Sequence, residues 1–188
     1  MTALHFTITF HGPFHVARGQ AVQGLDRTVD RVVPLPASSI KGLLRAEARE
    51  QLGVKKALVD AIFGNRVLPC PWAFSDAKVA PLPEDRSQIR RAARIKVDDD
   101  GQASHRFLML GEQVWATAAE FTIEQAVPGI AHVEEHVLVL TAAAQSVTSL
   151  GGARRRGEGW LSIVRDDIDQ VWDDQSSASL IALMGADE

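Results

Sequence analysis

The chain of 188 residues has no tyrosine and one cysteine, Cys70. A single cysteine excludes an internal disulfide and any zinc site built on paired cysteines, and it suits a reducing compartment. The missing tyrosine argues against a sheet surface that stacks bases on aromatic rings. No apolar run approaches the ~20 residues that span a bilayer, so no membrane partner is expected. The opening Met-Thr-Ala-Leu-His-Phe lacks the basic and apolar stretches of a secretion signal, and the expected location is the cytoplasm. Residues 166–188 have no lysine or arginine but carry Asp166, Asp167, Asp169, Asp173, Asp174, Asp187 and Glu188. We read them as an acidic C-terminal tail, solvated or facing another subunit.

Net charge is −4, yet its distribution is uneven. Residues 1–165 hold 20 basic and 17 acidic side chains, with arginine outnumbering lysine 15 to 5. That balance permits local phosphate contacts without making the whole domain basic. The length fits one domain with a real core.

Basic residues concentrate in two places. In Ser149-Leu150-Gly151-Gly152-Ala153-Arg154-Arg155-Arg156-Gly157-Glu158-Gly159-Trp160-Leu161, four glycines bracket three arginines. Glycine permits positive φ and close backbone approach. Successive backbone N–H groups in such a loop can form an anion-binding concavity, and guanidinium forks match phosphate. No Gly-Lys-Ser/Thr follows, so this is not a P-loop. The plainer alternative is a solvated turn before a strand. The second place is Pro36-Ala37-Ser38-Ser39-Ile40-Lys41-Gly42-Leu43-Leu44-Arg45, a helix start with Ser38 or Ser39 as the expected N-cap. Ile40, Leu43, Leu44 and Ala48 share the apolar face, while Lys41, Arg45 and Arg49 lie four apart in one stripe.

Elsewhere, Leu4, Phe6, Ile8 and Phe10 alternate with polar residues as a half-buried strand ended by Gly12-Pro13. A long loop, 16–37, follows. The striped helix is expected over about 39–52, stopping at Gly53, and a second short helix over about 55–63. Residues 67–80 read as strand, turn and strand. Residues 81–106 read as an excursion in which Arg86, Arg90, Arg91 and Arg94 have near-helical spacing. Residues 107–124 return to strand patterning, Val133 to about Val147 is a helix, and Trp160–Val164 is a final strand. This order suggests an α+β, ferredoxin-like core with an antiparallel sheet.

Five segments together resemble the RAMP superfamily of CRISPR proteins, and more narrowly the repeating backbone subunit of type III effector complexes. They are Gly24-Leu25-Asp26-Arg27-Thr28-Val29, the Pro36–Arg45 segment, Ile62-Phe63-Gly64-Asn65, Phe74-Ser75-Asp76-Ala77, and the loop Leu150–Gly159. The resemblance implies an RRM-like domain over 1–165, with an insertion at about 81–106 and the tail at 166–188. It implies guide RNA, target RNA and other effector subunits as partners, and a head-to-tail homo-oligomer that closes into no ring. Guide RNA would be held by Ser38, Ser39, Lys41, Arg45 and Arg49 and by Gly151, Gly152, Arg154, Arg155, Arg156, Gly157 and Gly159.

Asp26 is the candidate catalytic residue, because its segment resembles the one carrying the family's RNA-cleaving aspartate. A loop aspartate can bind a divalent metal, here Mg2+, or help activate an RNA 2′-hydroxyl. Its plainer role is a turn cap, and Asp30 competes for the assignment. Two rivals stand beside this possible metal-dependent endoribonuclease: a metal-independent endoribonuclease that matures guide precursors with His5, His11 or His15, and a structural paralogue without activity. A partly exposed strand residue is the plainer reading of those histidines. Asp98-Asp99-Asp100-Gly101 lacks calcium-loop spacing and reads as a turn. Trp115 and Trp160 read as core.

Overall fold

The computed structural model describes residues 2–19, 23–82, 88–166 and 172–185. Arg86 and, in the acidic stretch, Asp167, Asp169, Asp187 and Glu188 lie outside the described residues. β1 (Ala3–Phe10) is followed by α1 (Ala37–Ala46), a π-helical turn (Glu47–Gln51) and α2 (Lys56–Phe63). β2 (Trp72–Phe74), β3 (Lys78–Val79), β4 (Ile89–Val97), β5 (Ala103–Val114) and β6 (Ala118–Gln125) come next. Then come α3 (Val133–Ser146), β7 (Leu161–Arg165) and α4 (Asp174–Leu183).

The main sheet has the order β2-β6-β1-β7, with β3 pairing β6 beyond β2, and every pairing is antiparallel. Helical connections after β1 and after β6 complete a ferredoxin-like core. Alternation along β1 produces this layering. Leu4, Phe6, Ile8 and Phe10 are buried, and Phe6 stacks on Phe121 of β6 at 5.0 Å between ring centroids. Ile40, Leu44 and Ala48 from the α1 segment and Val139, Leu140 and Ala143 from α3 join the same cluster. On the other face, His5 and Thr7 of β1 pair with Thr122 and Glu120 of β6. The two central strands thus present no Phe, Tyr or Trp ring there, and His5 is the one ring on that face of them.

The helix start differs from the sequence expectation. α1 begins at Ala37 with Pro36 as N-cap, and neither serine caps it. The orphan Ala37 N–H instead donates to Asp76 Oδ1 at 2.7 Å. Asp76 reaches it from the break between β2 and β3, where Ser75 N–H donates to Thr122 O and Ala77 N–H to Leu35 O. The Phe-Ser-Asp-Ala segment thus joins the sheet edge to the helix start. Ile-Phe-Gly-Asn is also structural. Gly64 has φ +73°, and a Cβ there would lie 2.7 Å from Cys70 N. Asn65 Oδ1 accepts from Val67 and Leu68 N–H at 2.8 Å each.

The excursion contains a β-hairpin, despite the near-helical spacing of its arginines. β4 and β5 form their own two-stranded sheet, with Arg90, Arg91 and Arg94 opposite Gln113, Glu112 and Met109. Asp98–Gly101 makes its turn, with Asp98 Oδ1 accepting from Gln102 N–H at 2.8 Å. The hairpin extends to Val114, which is buried in the core, while Phe107 further along the same strand is 55% exposed. The two tryptophans read as core are surface residues: Trp115 is 37% and Trp160 58% exposed. Arg90 lies over the Trp115 ring at 4.8 Å.

Candidate nucleic-acid interface

The Gly-Arg loop is fixed from within. Gly151, Gly157 and Gly159 have φ of +75°, +81° and +77°, and Ala153 also has positive φ, at 60°. Two hydrogen bonds tie the loop to the end of β1: Gly152 N–H donates to His15 O at 2.9 Å and Gly159 N–H to Pro13 O at 2.8 Å. Leu150 N–H donates to Gly159 O at 2.9 Å, closing its base. A Cβ on Gly151 would collide with His15 O, and one on Gly159 with Leu150 O, whereas Gly157 has open space around it. Arg154–Arg156 form one 3-10 turn with all three side chains exposed. None of the three makes an ion pair among the described residues.

Asp26 lies opposite this loop. Its N–H donates to Leu110 O at 2.8 Å, and its Oδ2 accepts from Leu110 N–H at 2.8 Å. Arg27 continues beside β5 in a parallel bridge to Gly111. The exposed Asp26 carboxylate keeps Oδ1 without a hydrogen-bond partner among the described residues. His15, Val16, Asp26, Arg27, Thr28, Gly151 and Gly152 line one open groove of about 580 Å³. Asp30 is committed elsewhere. Its Oδ1 accepts from Val32 and Val33 N–H at 2.8 and 2.9 Å, which holds its carboxyl below the ordinary range.

His15 is buried, and not the partly exposed residue the sequence suggested. Its Nδ1–H donates to Glu112 O at 2.7 Å. A carbonyl only accepts, so the neutral ring carries its proton on Nδ1 and leaves Nε2 as an acceptor. Burial lowers the His15 pKa, countered by the hydrogen bond to Glu112. His5 and His11 are exposed on and beyond β1, and His11 Nε2 lies 3.3 Å from Ser162 Oγ.

The α1 segment meets the loop along a second groove of about 450 Å³. Ser39, Leu43 and Glu47 line one side of it and Leu150, Gly151 and Arg154 the other. Gly151 belongs to both grooves, making them neighbours. Burial raises the Glu47 pKa, Arg154 opposes that shift, and Glu50 adds to it. Lys41, Arg45 and Arg49 are not among the residues lining either groove. Lys41 Nζ sits 6.0 Å from the Phe74 ring centroid, Arg45 Nη2 donates to Asp60 Oδ1 at 3.0 Å, and Arg49 pairs with Glu50. The structure thus brings together Asp26, Gly151 and Gly152 in one groove and Ser39, Gly151 and Arg154 in the other, and keeps the lysine–arginine stripe apart from both.

Buried polar residues that sequence reading passed over build the site. Glu158 is 3% exposed, and its Oε1 accepts from Arg94 Nη2 and Gln113 Nε2. Arg27 Nη2 lies 3.7 Å from Glu158 Oε2. Glu112 pairs with Arg31, and its Oε2 accepts from Val29 N–H at 3.2 Å. These two glutamates join hairpin, Asp26 segment and Gly-Arg loop. A lone acid between Gly157 and Gly159 was the available sequence signal for Glu158; Glu112 had none. Among the described residues no cluster of three His, Cys, Asp or Glu is placed to hold a metal ion, and no helix is long and apolar enough to cross a membrane.

No curated protein matches the chain. Solved structures that share its fold include two of one complex. One is the type III-B Cmr-beta complex bound to cognate target RNA, matched with a TM-score of 0.65 at 12% identity over 88% of this chain and 97% of that one. The other is its apo state, with a TM-score of 0.64 at 12% identity and the same coverage, 88% and 97%. The RAMP superfamily's model matches residues 7–162, from β1 into β7, and the chain belongs to that superfamily.

Proposed function

We propose that this chain is a guide-RNA-binding backbone subunit of a CRISPR type III-like effector complex, with Asp26 cutting the guide-paired target RNA. One observation carries the reading: Asp26 and Gly151-Gly152 of the Gly-Arg loop line the same groove, and the three unpaired arginines stand next to it in the chain. Membership of the RAMP superfamily supports it, as does a shared fold with a complex whose structure was solved with cognate target RNA. Binding through phosphates and 2′-hydroxyls is independent of base sequence, which lets one subunit serve any guide. The hairpin exposes Ile95, Val97, Phe107, Leu108 and Met109, an apolar surface suited to a neighbouring subunit in a head-to-tail array.

In this reading the target 2′-hydroxyl oxygen attacks the adjacent phosphorus. The O2′–P bond forms and the P–O5′ bond breaks, leaving a 2′,3′-cyclic phosphate and a 5′-hydroxyl. Asp26 Oδ1 takes the 2′-hydroxyl proton, and water supplies the proton to the leaving oxygen. In the alternative role Oδ1 would not take the proton but would hold Mg2+ as one ligand, and a bound ion would neutralise phosphate charge.

His15 favours the second reading, a histidine endoribonuclease, because it lines the same groove with Nε2 available. The test is reconstitution with guide RNA, followed by the mass of the assembly and cleavage of labelled target by wild type, Asp26→Asn and His15→Gln. We expect a multi-copy assembly whose cleavage is lost in Asp26→Asn. Cleavage lost only in His15→Gln moves the chain to the processing class. A complex that binds target and never cuts leaves the structural role.

A further inference from the structure

Among the described residues Arg27 is the one Lys or Arg that lines the Asp26 groove, and its placement needs two glycines. The side chain leaves the loop against Gly111 of β5, where an added Cβ would lie 3.3 Å from Arg27 Cβ. It ends against Gly152, where an added Cβ would lie 2.8 Å from Arg27 Nη2. The stem of Arg27 thus occupies the space that a side chain on the hairpin strand would fill, and its guanidinium the space that one on the Gly-Arg loop would fill. Behind it is a small pocket shared with Arg94, Gln113 and Glu158, and in front is the groove with Asp26 and His15.

Glu158 supplies the countercharge from behind. Its Oε1 is already taken by Arg94 and Gln113. Its buried Oε2 has no hydrogen bond among the described residues, and Arg27 Nη2 stands 3.7 Å away. The pair attracts without a direct hydrogen bond. The Arg27 guanidinium makes no hydrogen bond with a described residue, so its fork keeps donors for a ligand. The side chain is 22% exposed, dry enough for its charge to act at higher strength than in water. A planar fork held beside a carboxylate with an open oxygen fits the two nonbridging oxygens of a phosphodiester.

We infer that Arg27 binds the RNA phosphate next to Asp26, and that Glu158 is the positioning residue that holds Arg27 against Gly152. This rests on the RNA-binding reading given above. Asp26 handles the 2′-hydroxyl proton, and Arg27 stabilises the extra negative charge on the nonbridging oxygens as O2′–P forms and P–O5′ breaks.

The test has a binding arm and a cleavage arm. In the binding arm, the chain is titrated with a short single-stranded RNA across a salt series. Arg27→Gln should lower the slope of log K against log salt by about 0.7, the value for one phosphate on a single strand. Glu158→Gln should move the slope the same way at a temperature where the variant is folded. An unchanged slope in Arg27→Gln overturns the inference, whatever cleavage does. In the cleavage arm, Arg27→Gln should lower kcat roughly 100-fold or more with little change in KM. Gly152→Ala keeps both charges but displaces the guanidinium, so it should lower the slope in the same direction as Arg27→Gln and lower kcat at least tenfold. It also stands in if Arg27→Gln does not fold. Wild-type kcat in folded Gly152→Ala and Arg27→Gln would remove Arg27 from the reacting phosphate. If Asp26→Asn still cuts while Arg27→Gln loses its slope, the Asp26 assignment fails and the phosphate site stands.

Discussion

Asp26 and Leu110 exchange two hydrogen bonds, Asp26 N–H to Leu110 O and Leu110 N–H to Asp26 Oδ2, each 2.8 Å. The carboxylate therefore does two jobs. One oxygen pins the loop to the hairpin, and the other opens on the groove. Asp26→Ala removes both and should lower stability by about 0.5–1.5 kcal/mol through the lost hydrogen bond. Asp26→Asn keeps an acceptor for Leu110 and loses only the negative charge, so its melting temperature should stay near wild type while cleavage disappears. Thermal melts beside a cleavage assay separate the two effects. Equal destabilisation by both variants would contradict this division.

The glycines of the Gly-Arg loop should differ sharply in what they tolerate. Gly159→Ala and Gly151→Ala force a Cβ into Leu150 O and His15 O at positive φ, and each should cost about 3 kcal/mol or more in urea denaturation. Gly157→Ala meets open space, leaving the left-handed backbone penalty of about 1–2 kcal/mol. Gly157→Val should suffer more, because a β-branched residue fits that conformation poorly. Similar losses at all three positions would mean that the loop readjusts around them.

What the sequence disclosed follows from which signals were local. The alternation of Leu4 to Phe10, the stop at Gly53 and the helix from Val133 depend on neighbours in the chain, and all appear as read. The cap of α1 does not: Asp76 is 39 residues from Ala37, so two well-placed serines looked sufficient. The hairpin was not legible because Arg90, Arg91 and Arg94 fit helical spacing as readily as one strand of an exposed two-stranded sheet, where burial imposes no strict alternation. Trp115 and Trp160 looked like core because bulk and apolarity predict burial without naming the partner that covers them. At the candidate site, the glycines and Asp26 were visible as residue types. The Arg27–Glu158–Arg94 network was not, since it joins three segments only after folding.

Two buried histidines make stability depend on pH. His136 Nδ1 accepts from Trp72 Nε1–H at 3.1 Å, and burial lowers the His136 pKa below 6.5, with Glu135 opposing and His132 adding. His15 is lowered for the same leading reason, with Arg27 and Arg94 adding to the shift and Glu158 and the Glu112 hydrogen bond opposing it. Below pH 6.5 the unfolded chain binds protons that the folded chain refuses. Stability is therefore full above that pH and is lost as pH falls toward the folded pKa values, by up to about 1.4 kcal/mol per pH unit for each histidine. His136→Gln retains an acceptor for Trp72 and should flatten part of the slope. Urea midpoints from pH 5 to 8, followed by tryptophan fluorescence, check this; an identical slope in His136→Gln would exclude His136 as a source.

The most direct test of the account is the salt dependence of RNA binding with and without the three loop arginines. The wild-type chain should bind unrelated single-stranded RNAs with similar affinity, weakening steeply with salt. Replacing Arg154, Arg155 and Arg156 by glutamine should weaken every RNA alike and lower the slope by about 2, near 0.7 for each phosphate released. Full binding and an unchanged slope in that variant, or a loss confined to one RNA sequence, would contradict a Gly-Arg loop that grips the RNA backbone.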